Sequence, residues 1–148
     1  MRNFIHKILN IKTADAHCDL MCGVYDPAQA RIEAQSVYNA IKIYEAAGDD
    51  VTRQRAIAIK EERAELVKHH LWVLWTDYFK PEHVEKFPEL HNLFWRATKA
   101  AGEAKKTMDI AAAQKLIDLI DEIGAVFAQT KDGYDYTAVK KNMEGQAK

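Results

Sequence analysis

Four stretches of this chain carry apolar residues at helical spacing, and no stretch shows sustained period-two alternation. The clearest is Val67, Leu71, Leu74 and Tyr78, at i, i+4, i+7 and i+11. That spacing lines one face of an α-helix, and such a face needs a partner surface. Leu116, Ile120, Ile123 and Phe127 repeat it. Leu90, Leu93, Phe94 and Ala97 mark a third buried face, and Ile32, Val37, Ile41 and Tyr44 a fourth. Four amphipathic helices with short connections predict an all-α fold, an antiparallel four-helix bundle.

Punctuation residues set the expected limits. Asp26 is placed to cap the first helix, with Pro27 at its first position and Gln29 closing a capping box. Gly48 is the expected C-terminal cap. The second helix is expected from Asp49 or Asp50 to about Phe79, stopped by Lys80-Pro81. A connector with one helical turn is expected over residues 81–87. Pro88 opens the third helix, which fades near Ala101-Gly102. Asp109 caps the fourth, and Gly133 follows its end. The polar residues from Tyr134 onward are expected as a partly ordered tail.

Length and composition agree with one globular domain. The chain has 148 residues, 48% hydrophobic and 29% charged, with a formal net charge of -1. Neither nucleic acid nor an anionic membrane is suggested as a partner. No apolar run approaches the roughly 18 residues that span a bilayer. Two cysteines are too few for a secreted disulfide scaffold, which suggests a reducing, cytoplasmic setting.

Those two cysteines fall in one short segment, His17-Cys18-Asp19-Leu20-Met21-Cys22-Gly23-Val24-Tyr25. The segment before it, residues 1–16, carries Arg2, Lys7 and Lys12 against Asp15, with Phe4, Ile5, Ile8, Leu9 and Ile11 at helical spacing. Polar residues interrupt it too often for a secretory signal core. Ala14-Asp15-Ala16 has the small residues of a cleavage site, so one reading is a leader cut after Ala16. The other is an ordinary N-terminus.

Several chemistries compete for these residues. A di-iron bundle requires Glu-x-x-His, and none of the six histidines has a glutamate three residues before it. Glu65 and His69 lie one helical turn apart, but His69-His70 reads more simply as an exposed or core-satisfied pair. A Cys18 nucleophile with His17 as base is disfavoured, because sequence neighbours rarely reach that geometry. Metal binding fits better, since thiolates select late transition metals and planar nitrogen-rich sites suit nickel and copper. A cut after Ala16 would free the α-amine of His17. That amine, the Cys18 amide nitrogen and the thiolates of Cys18 and Cys22 would then form a planar N₂S₂ set, with the His17 imidazole on the axis.

The segment resembles the metal hook of the nickel superoxide dismutases. The resemblance continues through Asp26-Pro27-Ala28-Gln29-Ala30-Arg31-Ile32-Glu33 and Ile59-Lys60-Glu61-Glu62-Arg63-Ala64-Glu65-Leu66. It goes on through His69-His70-Leu71, Trp75-Thr76-Asp77-Tyr78-Phe79-Lys80-Pro81 and Pro88-Glu89-Leu90-His91. It covers most of residues 17–130.

The resemblance implies an oxidoreductase that disproportionates superoxide to dioxygen and hydrogen peroxide by Ni(II)/Ni(III) cycling. It implies a nickel ion held by His17, Cys18 and Cys22, with Glu33 and Arg63 orienting the axial imidazole. Tyr25 and Tyr78 match the tyrosines that guard the metal, and Lys80 would attract the superoxide anion. It also implies a homohexamer and a processing protease. Met21 stands where the family usually has proline, which would loosen the hook. The expected organisation is a leader over 1–16, a nickel hook over 17–25, a bundle over 26–133 and a C-terminal tail over 134–148. Two other readings stay open: a nickel or copper storage or delivery protein using the same hook, and a bundle acting only through helix contacts.

Overall fold

The computed structural model describes residues 24–146. The leader and His17, Cys18, Asp19, Met21 and Cys22 lie outside the described residues. The elements are α1 (Ala28–Ala46), α2 (Asp50–Val73), a π-helical turn (Leu74–Tyr78), α3 (Pro81–Lys86), α4 (Leu90–Lys106), α5 (Ile110–Ala128) and α6 (Tyr136–Gln146). Each long helix packs on two others: α1 on α2 and α5, and α4 on α2 and α5. The three-residue connections 47–49 and 107–109 turn the chain back on itself, giving the antiparallel four-helix bundle. Among the described residues, no helix is long and apolar enough to cross a membrane.

The caps form where short polar residues precede apolar runs. Asp26 Oδ1 accepts the Ala28 N–H at 2.7 Å, and Pro27 follows Asp26 with helical dihedrals. Asp49 Oδ1 accepts from Thr52 N at 2.8 Å, and Asp109 Oδ1 from Ala111 N at 2.8 Å. Each bond satisfies an amide that the first helical turn leaves open. The C-terminal end of α4 is satisfied from another helix. Lys60 of α2, 2% exposed, donates to the carbonyls of Lys105 at 2.6 Å and Thr107 at 2.9 Å. A buried ammonium facing the negative end of a helix dipole is well placed.

The interior follows the seams. Val67, Leu71, Leu74, Leu90, Leu93, Phe94, Ala97, Leu116, Ile120, Ile123 and Phe127 are all buried. The seam of α1 differs from the expected one. Ile32 is 51% exposed, and the inward residues are Ala30, Ala34, Val37, Ala40 and Ile41. Four of these five fall at i, i+4, i+7 and i+11, and the alanines let α1 lie close against its neighbours. Gly48 does not act as a left-handed cap: α1 ends on an extended Ala47, and Gly133, at φ 73°, is the positive-φ glycine among the described residues. Helix α4 runs on through Gly102 to Lys106, and the stretch expected as a tail carries α6.

Helix α2 ends in a wider turn, closed by the Phe79 N–H bonding to Leu74 O at 3.1 Å. Such turns concentrate at functional sites. Beyond it, Phe79 and Lys80 are extended, as the residue before Pro81 must be.

Candidate metal centre

Tyr25 is the first residue of the expected site that the structure describes, three positions after Cys22. It lies at the root of α1, at the end of the segment expected from the sequence as the hook. Its ring meets that of Tyr78 with centroids 5.8 Å apart and planes at 53°. Tyr78 packs in turn on Phe127 at 4.4 Å, on Phe79 at 5.1 Å and, stacked at 20°, on His83 at 5.7 Å. The π-turn therefore places Tyr78 between the core and the root of α1.

The Tyr78 phenol is also oriented. Its oxygen lies 2.9 Å from Thr130 Oγ1, and Thr130 Oγ1 donates to Phe127 O at 2.7 Å. A threonine hydroxyl has one hydrogen to give. That hydrogen goes to the carbonyl, so Tyr78 is the donor to Thr130. Its proton is thereby turned toward Thr130.

Glu33 of α1 and Arg63 of α2 pair across the first two helices, with Arg63 Nη1 3.2 Å from Glu33 Oε2. The carboxylate side chain is 15% exposed and the guanidinium 38%. The four expected residues thus form two pairs rather than one cluster. Fifteen positions separate Arg63 from Tyr78, a span of roughly 20 Å along the helix axis at helical rise. Lys80 is exposed beside the tyrosine pair in sequence, and its backbone N–H donates to His83 Nδ1 at 3.1 Å.

Three residues that the sequence reading passed over tie the root of α1 down. Lys131 Nζ donates to Tyr25 O at 3.1 Å while lying over the rings of Phe127 and Tyr134. The Tyr134 hydroxyl donates to Asp26 Oδ1. Thr130 holds Tyr78. Burial and the Asp26 carboxylate both push the Tyr134 phenol well above its ordinary range, so it remains a donor. Their partners lie far away along the chain, so no local pattern pairs them. The cue was the turn signal Lys131-Asp132-Gly133, which returns the chain onto the end of the bundle.

The donor chemistry decides where a metal could sit. Among the described residues, no group of three His, Cys, Asp or Glu side chains is placed to hold a metal ion. Both thiols of the chain are Cys18 and Cys22, with His17 beside them. Two thiolates and an imidazole within six residues suit a late transition metal such as nickel. The donors therefore fit nickel, and they lie in the segment that emerges at Tyr25.

Comparison with known proteins gives the family. The family described as nickel-containing superoxide dismutase matches residues 12–131. The chain belongs to the nickel-containing superoxide dismutase family. A superoxide dismutase [Ni] of Streptomyces seoulensis is 60% identical over 117 residues, covering 78% of this chain and 88% of the relative. That of Streptomyces coelicolor is 57% identical over 120 residues, covering 80% and 91%. A solved native nickel superoxide dismutase superposes with a TM-score of 0.76 at 53% identity, over 78% of this chain and all of its own. Within this family the bundle is the shared scaffold, and the two residue pairs lie on it.

Proposed function

We propose that this chain, a superoxide dismutase by family, works through a nickel ion held by His17, Cys18 and Cys22. The observation that carries the reading is the place of the chain's two thiols in the sequence, three and seven residues before Tyr25, in a chain whose described residues offer no rival metal site. When bound, nickel supplies the one-electron exchange that oxidises one superoxide to dioxygen and reduces a second, with two protons, to hydrogen peroxide. The thiolates of Cys18 and Cys22 would be the anionic donors. The His17 amine and imidazole and the Cys18 amide nitrogen would complete the set after a cut following Ala16. Family membership favours this reading over storage or delivery of metal.

The described residues have definable tasks. Tyr25 and Tyr78 form an aromatic wall at the root of the metal segment, and Thr130 fixes which way the Tyr78 phenol faces. Seven residues separate His17 from Val24, an extended reach of at most roughly 25 Å. That is enough for the imidazole to approach Glu33 and Arg63. There the carboxylate would accept its N–H and the guanidinium would hold the carboxylate in place. Partners of this kind typically tune a ligand's basicity and orientation. Exposed Lys80 and half-buried Lys131 would draw the superoxide anion toward this end of the bundle.

The wider organisation follows the same reading. Residues 1–16 act as a leader removed by a protease, and the protein works in the cytoplasm. The exposed residues Ile32, Ile43 and Ile59, beside a groove of about 360 Å³ between α1 and α2, support self-association, and the resemblance implies a hexamer. Nickel loading of the protein starting at His17, followed by superoxide decay and EPR, tests the proposal. Cys18→Ser and Cys22→Ser should each abolish nickel uptake and dismutation. Dismutation surviving either change would refute the assignment.

A further inference from the structure

We propose that the C-terminal segment is a clamp on the root of the metal segment, with Tyr134 and Tyr136 as its positioning residues. The inference rests on the nickel reading above. The family match ends at residue 131, and the solved relative is matched over its whole length by 78% of this chain. Tyr134 and the whole of α6 fall beyond the family match, yet they are built into the bundle.

The ties converge on the start of α1. The Tyr134 hydroxyl bonds Asp26 Oδ1, the same oxygen that caps Ala28, and the Tyr134 ring stands edge-on to Phe127 at 4.9 Å. Tyr136, 6% exposed, donates to Asp121 Oδ1 at 2.8 Å. That oxygen also holds the buried Arg31 of α1 at 2.9 Å, and Lys140 takes Asp121 Oδ2 at 2.8 Å. Gly124, near the C-terminal end of α5, makes room for this arrangement. A Cβ there would lie 2.2–2.4 Å from the Tyr136 ring. Glycine is unfavourable in a helix interior, and here it is the residue on which that ring can seat. Asp26 lies four residues after Cys22, and Arg31 five residues further on. A segment that fixes both sets the point and direction from which the hook emerges.

A clamp of this kind acts on the metal segment more than on the bundle. The test uses the chain from His17, its Tyr134→Phe, Tyr136→Phe and Gly124→Ala variants, and Leu93→Ala as a control that weakens the bundle at α4. Nickel release to a chelator is measured beside the urea midpoint. Amide exchange of residues 24–31 is measured on the metal-free proteins. We expect Tyr134→Phe to release nickel about fivefold faster and to speed exchange at the root, by more than Leu93→Ala does for an equal fall in urea midpoint. Gly124→Ala should do the same by displacing the Tyr136 ring. Release and root exchange unchanged in all three variants would overturn the clamp. So would changes that follow global stability as they do in Leu93→Ala. A parent chain that takes up no nickel would refute the nickel reading instead, and root exchange would still decide the clamp.

Discussion

The ring of Tyr25, just before α1, meets the ring of Tyr78, at the end of the π-turn, with centroids 5.8 Å apart. The contact joins the root of the metal segment to a residue anchored in the core by Phe127 and Thr130. Tyr78→Phe keeps the aromatic packing and removes the bond to Thr130. It should cost about 1 kcal/mol of unfolding free energy, the typical net worth of such a bond. Thr130→Val should cost a similar amount, and the double variant less than the sum. Urea unfolding of the four proteins checks this. Superoxide decay should slow in Tyr78→Phe, which removes the phenol, and in Thr130→Val, which leaves it without its orienting partner.

The Glu33–Arg63 pair should separate function from stability. It is partly exposed, so its removal should change unfolding free energy by no more than about 1 kcal/mol. Its effect on dismutation should be far larger, about 10–100-fold for Arg63→Gln or Glu33→Gln, as for other groups that orient a metal ligand. A kinetic loss no larger than the stability change would assign the pair to the surface.

Lys60 should show the reverse pattern. Burial pushes its ammonium below the ordinary lysine range, while the carbonyls of Lys105 and Thr107 hold it in place. Lys60→Met would leave both carbonyls without this donor and cost about 1–3 kcal/mol. Nickel content and dismutation per folded molecule should be unchanged.

Much of the fold was legible because the seams are periodic and the caps are local. Val67, Leu71, Leu74 and Tyr78 read correctly, as did the caps Asp26 and Asp109, whose partners lie two residues on. Ile32 misled because hydrophobicity outranked spacing, whereas close packing of α1 selected the small Ala30 and Ala34. The π-turn leaves no signature in composition. The C-terminal helix was read as a tail because its hold on the bundle comes from Tyr134, Tyr136 and Lys140 reaching distant carboxylates. At the candidate site, the donor set and the four flanking residues came from a contiguous resemblance. The pairing of Glu33 with Arg63, and the ties made by Thr130, Lys131 and Tyr134, depend on tertiary contacts.

The tyrosine ties predict an alkaline limit. Burial raises both phenols above their ordinary value, and the Asp26 and Asp121 carboxylates raise them further. In the unfolded chain they ionise near pH 10. Their contribution is therefore complete below about pH 10 and is lost as pH rises above it, when the unfolded state releases protons that the folded state keeps. Unfolding midpoints from pH 8 to 11 should fall more steeply in the parent than in the Tyr134→Phe/Tyr136→Phe double variant.

The central claim is that the metal site exists only once His17 is the first residue. The direct measurement compares a chain starting at His17 with one starting at Ala16, both offered nickel, by metal content and superoxide decay. The His17 chain should hold about one nickel and dismute superoxide rapidly, because its free amine completes the donor set. The Ala16 chain, differing by one residue, should lose more than roughly a hundredfold in activity. Equal nickel content and equal decay rates in the two chains would contradict the account.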